Sequence, residues 1–438
     1  MRGAMSSETQ ELDSYERRDN TLYCEDVPLT AIAEQAGTPV YVYSQEMLLG
    51  QLGKLDRAFH GVDHLICYSV KANSNLAVLA LLGRAGAGAD VVSGGELYRA
   101  LKAGIPPERI VFSGVGKSDV EIGEALRQRI FLLNCESAPE LEAIEAVATR
   151  LGIRAPVAIR LNPDVDAHTH HYIATGRSDS KFGLTAGELH HLYGRISRSS
   201  HLEAVGIDMH IGSQIVTAAP FVRAVEILRE LILGLRRDGV ELRAVDLGGG
   251  LGIVYEREEP MSAADFAAAV RPLLDDLGLT IVLEPGRFIA GNAGVLLARV
   301  LYVKESGSKT FVILDAGMND LIRPTLYGAH HRIEPVVTRG RPEIVADWVG
   351  PVCETGDFLA RDRRGERPEA GELVAVRGAG AYGATMASNY NARPRAAEVL
   401  VEGSRFRVVR SRESYADLVR LEEIDGELEP RAGEIEGP

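Results

Sequence analysis

The chain has 438 residues, of which 45% are apolar and 25% are charged, and its formal net charge is −14. This length and composition exclude a single small domain and a disordered chain, and they predict two domains or one large barrel with an appended domain. The acidic balance disfavours a nucleic-acid partner, because a phosphate backbone requires a basic surface.

The N-terminal segment, residues 1–44, is predicted to contribute to a β domain formed mainly by the end of the chain, through the apolar run TPVYVYS at 38–44. Its first 20 residues are polar and contain no apolar signal-peptide core. No apolar run approaches the ~20 residues of a membrane span, so we expect no membrane association. The four cysteines are far apart and form no CxxC pair, which predicts a cytoplasmic protein without a disulfide framework.

From residue 45 to 293, short apolar runs alternate with stretches of 3.6-residue periodicity, a pattern typical of βαβ units with a parallel sheet. We count eight such runs, at 64–69, 88–92, 110–113, 130–134, 156–161, 203–209, 243–247 and 280–284. Eight is the number of strands in a (β/α)8 TIM-like barrel, which is our predicted fold for this domain. The alternative is an open, doubly wound sheet.

From residue 294 to 425 the pattern changes to apolar runs separated by turn-rich segments, which predicts a mostly antiparallel C-terminal β domain. The runs lie at 295–303, 310–316, 344–350, 372–378, 396–401 and 405–410. We interpret the segments 304–309 and 360–371 as turns. The remaining residues, 426–438, are predicted to form an acidic, solvated tail.

Polar residues follow at least six of the eight predicted barrel strands, at the ends where barrels carry their active sites. Three glycines, 248–250, follow strand seven, and the segment Glu284–Arg287 follows strand eight. Loops at these two positions often bind phosphate, because glycine lets backbone N–H groups approach an anion. A Rossmann dinucleotide site is disfavoured, since its glycine loop follows the first strand.

Only seven of the 48 basic residues are lysines, and Lys71 alone among them ends a barrel strand. We expect the others to be solvated in helical or turn segments: Lys54, Lys102, Lys117, Lys181, Lys304 and Lys309. A lysine in a partly desolvated site has a lowered pKa and can form a Schiff base. Together with a phosphate site this suggests pyridoxal phosphate (PLP), and the alternative is an aldolase-type barrel.

Glu284 and His210 are the next candidates. An acidic group beside the ring nitrogen of PLP keeps that nitrogen protonated, and Glu284 at the end of strand eight is suitably placed for this. A salt bridge between Glu284 and a barrel arginine is the alternative. His210 follows strand six and could stack on the cofactor ring or serve the structure only.

Nine ordered motifs resemble those of the fold-type III PLP-dependent decarboxylases of the ornithine/diaminopimelate group. They are YSVKAN (68–73), GADVVSGGELYRALKAG (88–104), IVFSGVGKSD (110–119), RLNPDVDAHTHHYIATGRSDSKFG (160–183), DMHIGSQI (208–215), DLGGGLGI (246–253), LEPGRFI (283–289), GPVCETGDFLA (350–360) and GAYG (380–383). The resemblance implies PLP as the cofactor and a TIM-like barrel with a β domain.

The resemblance also implies roles for individual residues in binding PLP. Lys71 would form the Schiff base, His210 would lie against the ring, and Glu284 would pair with the pyridinium nitrogen. The other cofactor contacts would come from Asp90, Ser213, Gly248, Gly249, Gly250, Pro285, Gly286, Arg287 and Tyr382. No metal is expected.

For the substrate, the resemblance implies that Arg287, Arg323 and Tyr327 hold a carboxylate and that Tyr382 contacts both phosphate and substrate. Cys353 and Glu354 would enter the site from the partner subunit of a homodimer with shared active sites. Cys353 would act as the proton donor and Glu354 would bind the distal amine.

The expected reaction is the decarboxylation of meso-2,6-diaminopimelate to L-lysine and CO2, the last step of lysine biosynthesis. Two alternatives stay open. One is a decarboxylase for another basic amino acid or a carboxylated polyamine. The other is a binding or regulatory protein on an inactive scaffold, which is disfavoured because Lys71, Cys353 and both phosphate loops are present.

Overall fold

The computed structural model of the chain describes residues 14–165 and 181–424. The predicted acidic tail at 426–438 and most of the motif at 160–183 lie outside these ranges. The first elements are β1 (Arg17–Arg18), β2 (Thr21–Cys24) and β3 (Val27–Pro28), which form a small antiparallel sheet. They are followed by α1 (Leu29–Ala36), β4 (Val40–Ser44) and α2 (Gln45–Ala58).

Eight parallel strands then form a closed barrel, which confirms the predicted fold class. They are β5 (His64–Ser69), β6 (Gly88–Val91), β7 (Ile110–Phe112), β8 (Leu132–Cys135), β9 (Ala155–Leu161), β10 (Leu202–Met209), β11 (Ala244–Asp246) and β12 (Thr280–Leu283). The barrel closes where β12 pairs with β5, with Ile281 opposite His64. The predicted runs agree with these strands to within one or two residues at most ends.

Amphipathic helices follow the barrel strands and cover the outside of the barrel. They are α3 (Leu76–Arg84), α4 (Gly94–Lys102), α5 (Asp119–Gln128), α6 (Ala138–Leu151), α7 (Ala186–Ile196), α8 (Ala219–Arg237) and α9 (Ala263–Val270). Three of them begin with a capping box, in which the side chains of Ser118, Thr185 and Ser262 accept a backbone N–H three residues on. These caps fix where each βα loop ends and the helix begins.

The barrel interior has an apolar layer below a polar layer. The apolar layer is formed by Leu65, Cys67, Val111, Leu132, Ala158, Val205, Ala244 and Val282. In most strands the next inward position, two residues on, is polar and buried: Ser69, Asp90, Ser113, Asn134, Arg160, Asp208, Asp246 and Glu284. Because alternate residues of a strand point inward, the polar side chains lie at the C-terminal mouth of the barrel, directly above the apolar layer.

The β domain is a mixed, mostly antiparallel sheet with the order β17-β16-β14-β13-β4-β19-β20. Its strands are β13 (Gly294–Ser306), β14 (Lys309–Leu314), β15 (Ile333–Pro335), β16 (Glu343–Val349), β17 (Phe358–Glu366), β18 (Leu373–Val376), β19 (Ala397–Glu402) and β20 (Arg405–Arg410). Strand β4 lies between β13 and β19, so the N-terminal segment is part of this sheet. Three short helices complete the chain: α10 (Arg287–Ala290), α11 (Arg323–Tyr327) and α12 (Tyr415–Val419).

One predicted turn is wrong and another is shorter than predicted. Most of the segment 360–371 belongs to β17, an edge strand paired with β16. Charged residues are typical of edge strands, so β17 lacks the run of apolar residues from which the other strands were predicted. Lys304 lies in β13 opposite Phe311, and only the centre of the segment 304–309 turns.

The domain boundaries at residues 44, 293 and 425 stay predictions. Within the described ranges, no helix combines the length and apolar character needed to cross a membrane.

Candidate active site

A cavity of about 350 Å³ opens at the C-terminal ends of the barrel strands, between the barrel and the β domain. It brings together ten of the predicted site residues: Lys71, His210, Ser213, Gly250, Glu284, Gly286, Arg287, Arg323, Tyr327 and Tyr382. Asp90 lies directly beneath it, in contact with Lys71. Gly248, Gly249, Pro285, Cys353 and Glu354 are not among the residues that line it.

Lys71 follows β5 and extends into the cavity, where its side chain is 37% exposed. Its Nζ donates to Asp90 Oδ2 at 3.0 Å. Burial alone would lower the pKa of Lys71, but the carboxylates of Asp90 and Glu284 outweigh it and raise that pKa above its usual value. The prediction of a lowered pKa is therefore wrong for these surroundings, because it considered desolvation without the opposite charges.

Glu284 lies at the base of the cavity and is 4% exposed. Its Oε1 accepts hydrogen bonds from Ser113 Oγ at 3.0 Å and from Asn134 Nδ2 at 3.4 Å. Among the described residues its side-chain partners include Ser113 and Asn134, and none of the described arginines forms the alternative salt bridge. Burial, followed by the charges of Asp246 and Asp90, raises the pKa of Glu284 well above its usual value.

A buried polar network continues below Glu284. Asn134 Nδ2 also donates to Asp246 Oδ2 at 3.1 Å, and Asp246 Oδ1 accepts the N–H of Gly248 at 2.9 Å. Burial raises the pKa of Asp246 to about 6. Asp208 and Asp90 each retain one buried carboxylate oxygen without a hydrogen-bond partner among the described residues. This region is therefore rich in buried carboxyl groups, and a cationic ligand above it would favour their ionised form.

The backbone of the glycine loop after β11 is held by hydrogen bonds to neighbouring residues. The N–H of Gly249 donates to His210 Nδ1 at 3.1 Å, and the O of Gly250 accepts the N–H of Ile215 at 2.9 Å. Gly250 has φ +110°, which side-chain-bearing residues rarely adopt, and it is the glycine of the three that lines the cavity. Since Gly248 and Gly249 already donate within the protein, Gly250 is the member of the loop best placed to meet a ligand.

His210 accepts a hydrogen bond at Nδ1, so the proton of its neutral ring is assigned to Nε2. Burial and the nearby charges of Arg160 and Lys71 lower the pKa of His210 well below its usual value. The ring is therefore neutral at physiological pH. A neutral imidazole is suited to packing against an aromatic ligand.

Two arginines form the opposite wall of the cavity. Arg287 Nη2 donates to Ser213 Oγ at 3.0 Å and its Nη1 donates to the hydroxyl of Tyr255 at 2.5 Å. Arg323 Nη1 lies 3.0 Å from His331 Nε2. Both arginines are buried, and neither makes an ion pair with a carboxylate among the described residues. Two unneutralised guanidinium groups on one wall are suited to an anionic ligand.

Cys353 and Glu354 lie outside this chain's own cavity, on the exposed surface of the β domain. The N–H of Cys353 donates to Asn391 Oδ1 at 2.9 Å. Tyr390, the neighbour of Asn391, interacts with Glu354, which raises the pKa of that tyrosine. The loop that carries the thiol is thus attached to a second loop of the same domain.

One lysine was misassigned. Lys117 is not solvated, because its side chain is 1% exposed and its Nζ donates to Glu140 Oε1 at 2.7 Å. It also donates to the carbonyl oxygens of Gly114 and Asn134. The ion pair joins the loop after β7 to the first turn of α6, and the hydrogen bond to Asn134 joins that loop to the end of β8.

Several residues that line the cavity were not predicted as site residues: Ser69, Gln214, Tyr255, Glu258, Ala329, His330 and Met386. Ser69 ends β5 and Gln214 follows β10, so the sequence places both at the C-terminal ends of barrel strands. Tyr255 and Glu258 lie further along the loop after β11, and His330 belongs to the β domain. Nothing in their spacing indicates that they face the cavity.

A parallel barrel with an amine after its first strand and a glycine loop after its seventh is the arrangement of a PLP-dependent enzyme. Residues 48–291 match the pyridoxal-binding domain of the pyridoxal-dependent decarboxylases. The chain is 51% identical over 405 residues to diaminopimelate decarboxylase of Aquifex aeolicus, covering 92% of this chain and 96% of that protein. The corresponding Pseudomonas aeruginosa enzyme is 49% identical, covering 94% and 99%.

Solved structures agree with these relatives. The diaminopimelate decarboxylase of Helicobacter pylori, complexed with L-lysine, superposes with a TM-score of 0.88 at 44% identity, covering 90% of this chain and 99% of that one. The chain therefore belongs to the pyridoxal-dependent decarboxylases and, within them, to the diaminopimelate decarboxylase family.

The residues of the cavity fit PLP. Lys71 supplies an amine, and Glu284 supplies a buried carboxyl without a cationic partner, which a protonated ring nitrogen would provide. Arg287 Nε is buried and has no hydrogen-bond partner among the described residues. A Cβ at Gly286 would meet Cβ atoms of Ser69 and Ala72 at 3.0 Å, so glycine lets this segment pack closely beside the residues that lead to Lys71. Within the described ranges, no cluster of three or more metal-binding side chains is present.

Proposed function

We propose that the chain catalyses the PLP-dependent decarboxylation of meso-2,6-diaminopimelate to L-lysine and CO2, the last step of lysine biosynthesis. One observation carries this proposal: Arg287 and Arg323, both without a carboxylate partner among the described residues, share the cavity with the amine of Lys71. Diaminopimelate has a second carboxylate that such a pair can bind, whereas ornithine has none. The names of the relatives support the same substrate.

We propose that Lys71 holds the cofactor covalently and that Glu284 pairs with its ring nitrogen while His210 lies against its ring. The phosphate is assigned to the mouth of the cavity, where its contacts would come from Ser213, Gly250, Gly286, Arg287 and Tyr382. We propose that four residues outside the cavity lining support these contacts: Asp90, Gly248, Gly249 and Pro285. When bound, PLP supplies an electron sink for the carbanion that remains as CO2 departs.

The protein's own contribution is orientation and proton control. Arg287, Arg323 and Tyr327 would fix the distal carboxylate, so that the carboxylate to be lost is directed to the reacting centre. Asp90 accepts a hydrogen bond from the Lys71 amine and so fixes the position of that amine in the cavity. No base is needed at Cα for decarboxylation, so the remaining requirement is an acid that protonates the product carbon.

We assign that acid to Cys353 of a partner subunit, with Glu354 as the contact for the distal amine. Both residues are exposed and lie outside the cavity of their own chain. They can serve a site only if a second copy presents them, which supports a homodimer with shared active sites. Three of the four free cysteines are buried and the fourth is Cys353. An exposed catalytic thiol favours the reducing cytoplasm as the location.

The substrate is tested by incubating the purified holoenzyme separately with meso-diaminopimelate, ornithine, arginine and lysine and measuring released CO2. We expect release from diaminopimelate and none above background from the others. Release from ornithine or arginine without release from diaminopimelate would identify a decarboxylase of a different basic amino acid. The Lys71→Ala variant should lose turnover and the visible absorbance of bound cofactor together.

The shared site is tested by mixing the variants Lys71→Ala and Cys353→Ala, each inactive alone. Random exchange of subunits gives half heterodimers, in which one of the two sites has both residues intact. We therefore expect recovery of about a quarter of wild-type activity. No recovery after verified subunit exchange would show that each site draws both residues from one chain.

A further inference from the structure

Tyr255 has no role in the function described so far, although it contacts both arginines of the cavity. Its hydroxyl accepts the hydrogen bond from Arg287 Nη1 at 2.5 Å. Its ring centroid lies 4.9 Å from the Cζ of Arg323 and 5.7 Å from the Cζ of Arg287. One aromatic side chain therefore contacts two cations that repel each other.

The position of Tyr255 is itself fixed from several sides. The carboxylate of Glu258 accepts the N–H of Tyr255 at 2.8 Å and the N–H groups of the next two residues. A Cβ at Gly378 would meet two carbon atoms of the Tyr255 ring at 3.2 Å, so the ring packs directly on backbone. The tyrosine is thus a rigid support.

His331 completes the arrangement on the side of Arg323. Its ring meets that of Tyr255 edge-on, with centroids 5.5 Å apart. Nδ1 of His331 lies 2.9 Å from the carbonyl oxygen of Arg377, an acceptor, which leaves Nε2 to accept from Arg323. Burial and the charge of Arg323 lower the pKa of His331 to about 3, so the ring stays neutral and keeps this acceptor.

We propose that Tyr255 is a positioning residue that holds Arg287 and Arg323 in the orientation required to bind the substrate's distal carboxylate. This inference rests on the proposed function for the identity of the ligand. Holding the two guanidinium groups before the ligand arrives lowers the ordering cost of binding, which is the general basis of preorganisation. The effect concerns the affinity for a carboxylate and leaves the chemistry at Lys71 unaffected.

The test uses the PLP-loaded enzyme and two ligands that differ by one carboxylate, L-lysine and cadaverine. The variant Tyr255→Phe removes the hydroxyl and keeps the ring that packs on Gly378. Tyr302→Phe is the matched control, because Tyr302 is 66% exposed on β13. Calorimetric titration gives the affinity of each ligand for each protein, and thermal melting verifies that both variants are folded.

We expect Tyr255→Phe to weaken L-lysine binding by about 3- to 10-fold, the cost of ordering a long side chain as the ligand binds, with cadaverine binding unchanged. The KM for meso-diaminopimelate should rise by a similar factor while kcat changes by less than about threefold. Tyr302→Phe should match the wild type in every measurement.

Two results would overturn the inference. One is an L-lysine affinity of Tyr255→Phe within about twofold of the wild type, and the other is an equal loss of affinity for L-lysine and cadaverine. Failure of the proposed function is a separate result, because it appears in the wild type as CO2 release from a different amino acid. The comparison of L-lysine with cadaverine still measures the role of Tyr255 in that case, since it needs only a carboxylate ligand.

Discussion

The charge state of Lys71 is set by Asp90, so replacing that carboxylate by an amide should change the reactivity of the amine. The Nζ and Oδ2 atoms are 3.0 Å apart, Asp90 is fully buried, and the Lys71 side chain is 37% exposed. For such a partly exposed pair we take an effective dielectric constant of about 40, which gives an attraction of ~2.8 kcal/mol. Asp90→Asn should therefore increase the neutral fraction of the amine about 100-fold at neutral pH.

Competitive labelling measures this directly. Brief acetylation of the PLP-free protein across a pH series, followed by peptide mass spectrometry, gives the labelling rate of each lysine. We expect the rate at Lys71 to rise about 100-fold at neutral pH in Asp90→Asn, in line with that neutral fraction. Lys309, an exposed lysine paired with Asp347, serves as the internal reference. The surface variant Asp56→Asn controls for the loss of one negative charge elsewhere.

The reasoning is refuted if the pH profile of Lys71 labelling is the same in Asp90→Asn and the wild type. That result would mean that solvent entering the cavity screens the pair or that Glu284 alone holds the proton on the amine. A uniform increase at all lysines would indicate partial unfolding, which thermal melting would detect.

Two further predictions concern the stability of the barrel. Lys117→Met leaves the buried carboxylate of Glu140 unpaired and should lower the free energy of unfolding by ~3–5 kcal/mol in urea titrations. The double variant with Glu140→Leu should recover most of that loss. A loss under about 1 kcal/mol in the single variant would contradict a stabilising role of Lys117. Because burial raises the pKa of Asp246 from 3.8 to about 6, its ionisation costs stability as pH rises through that range. The stability of Asp246→Asn relative to wild type should therefore improve by about 3 kcal/mol between pH 4 and pH 7, and a pH-independent difference would be evidence against the raised pKa.

Much of the barrel was determined by local sequence. Each strand is a short buried run between amphipathic helices, and closure into a barrel follows from eight such units. Lys71 and Glu284 were also predicted from sequence. The C-terminal ends of all the parallel strands meet at the same end of the barrel, so residues at those ends lie close together. The alternation of inward and outward residues also indicates buried polar positions, since Asn134 and Asp246 each follow a residue of the apolar layer by two positions.

Residues whose role depends on a distant partner were not found in this way. Lys117 has the sequence context of a surface lysine, and only the packing of α6 brings Glu140 to it. The strand β17 has the composition of a loop, and its hydrogen bonds to β16 decide its conformation. In both cases the deciding contact is remote in the chain, so no local pattern records it.

The same distinction separates the two halves of the site. The sequence by itself determined the barrel and the strand ends that carry Lys71, Glu284 and the glycine loop, because strand period and chain direction are local properties. Only the tertiary structure decided that Tyr255 contacts both arginines and that Cys353 lies outside its own chain's cavity. These placements depend on how the β domain packs against the barrel mouth, which is a sum of many long-range contacts.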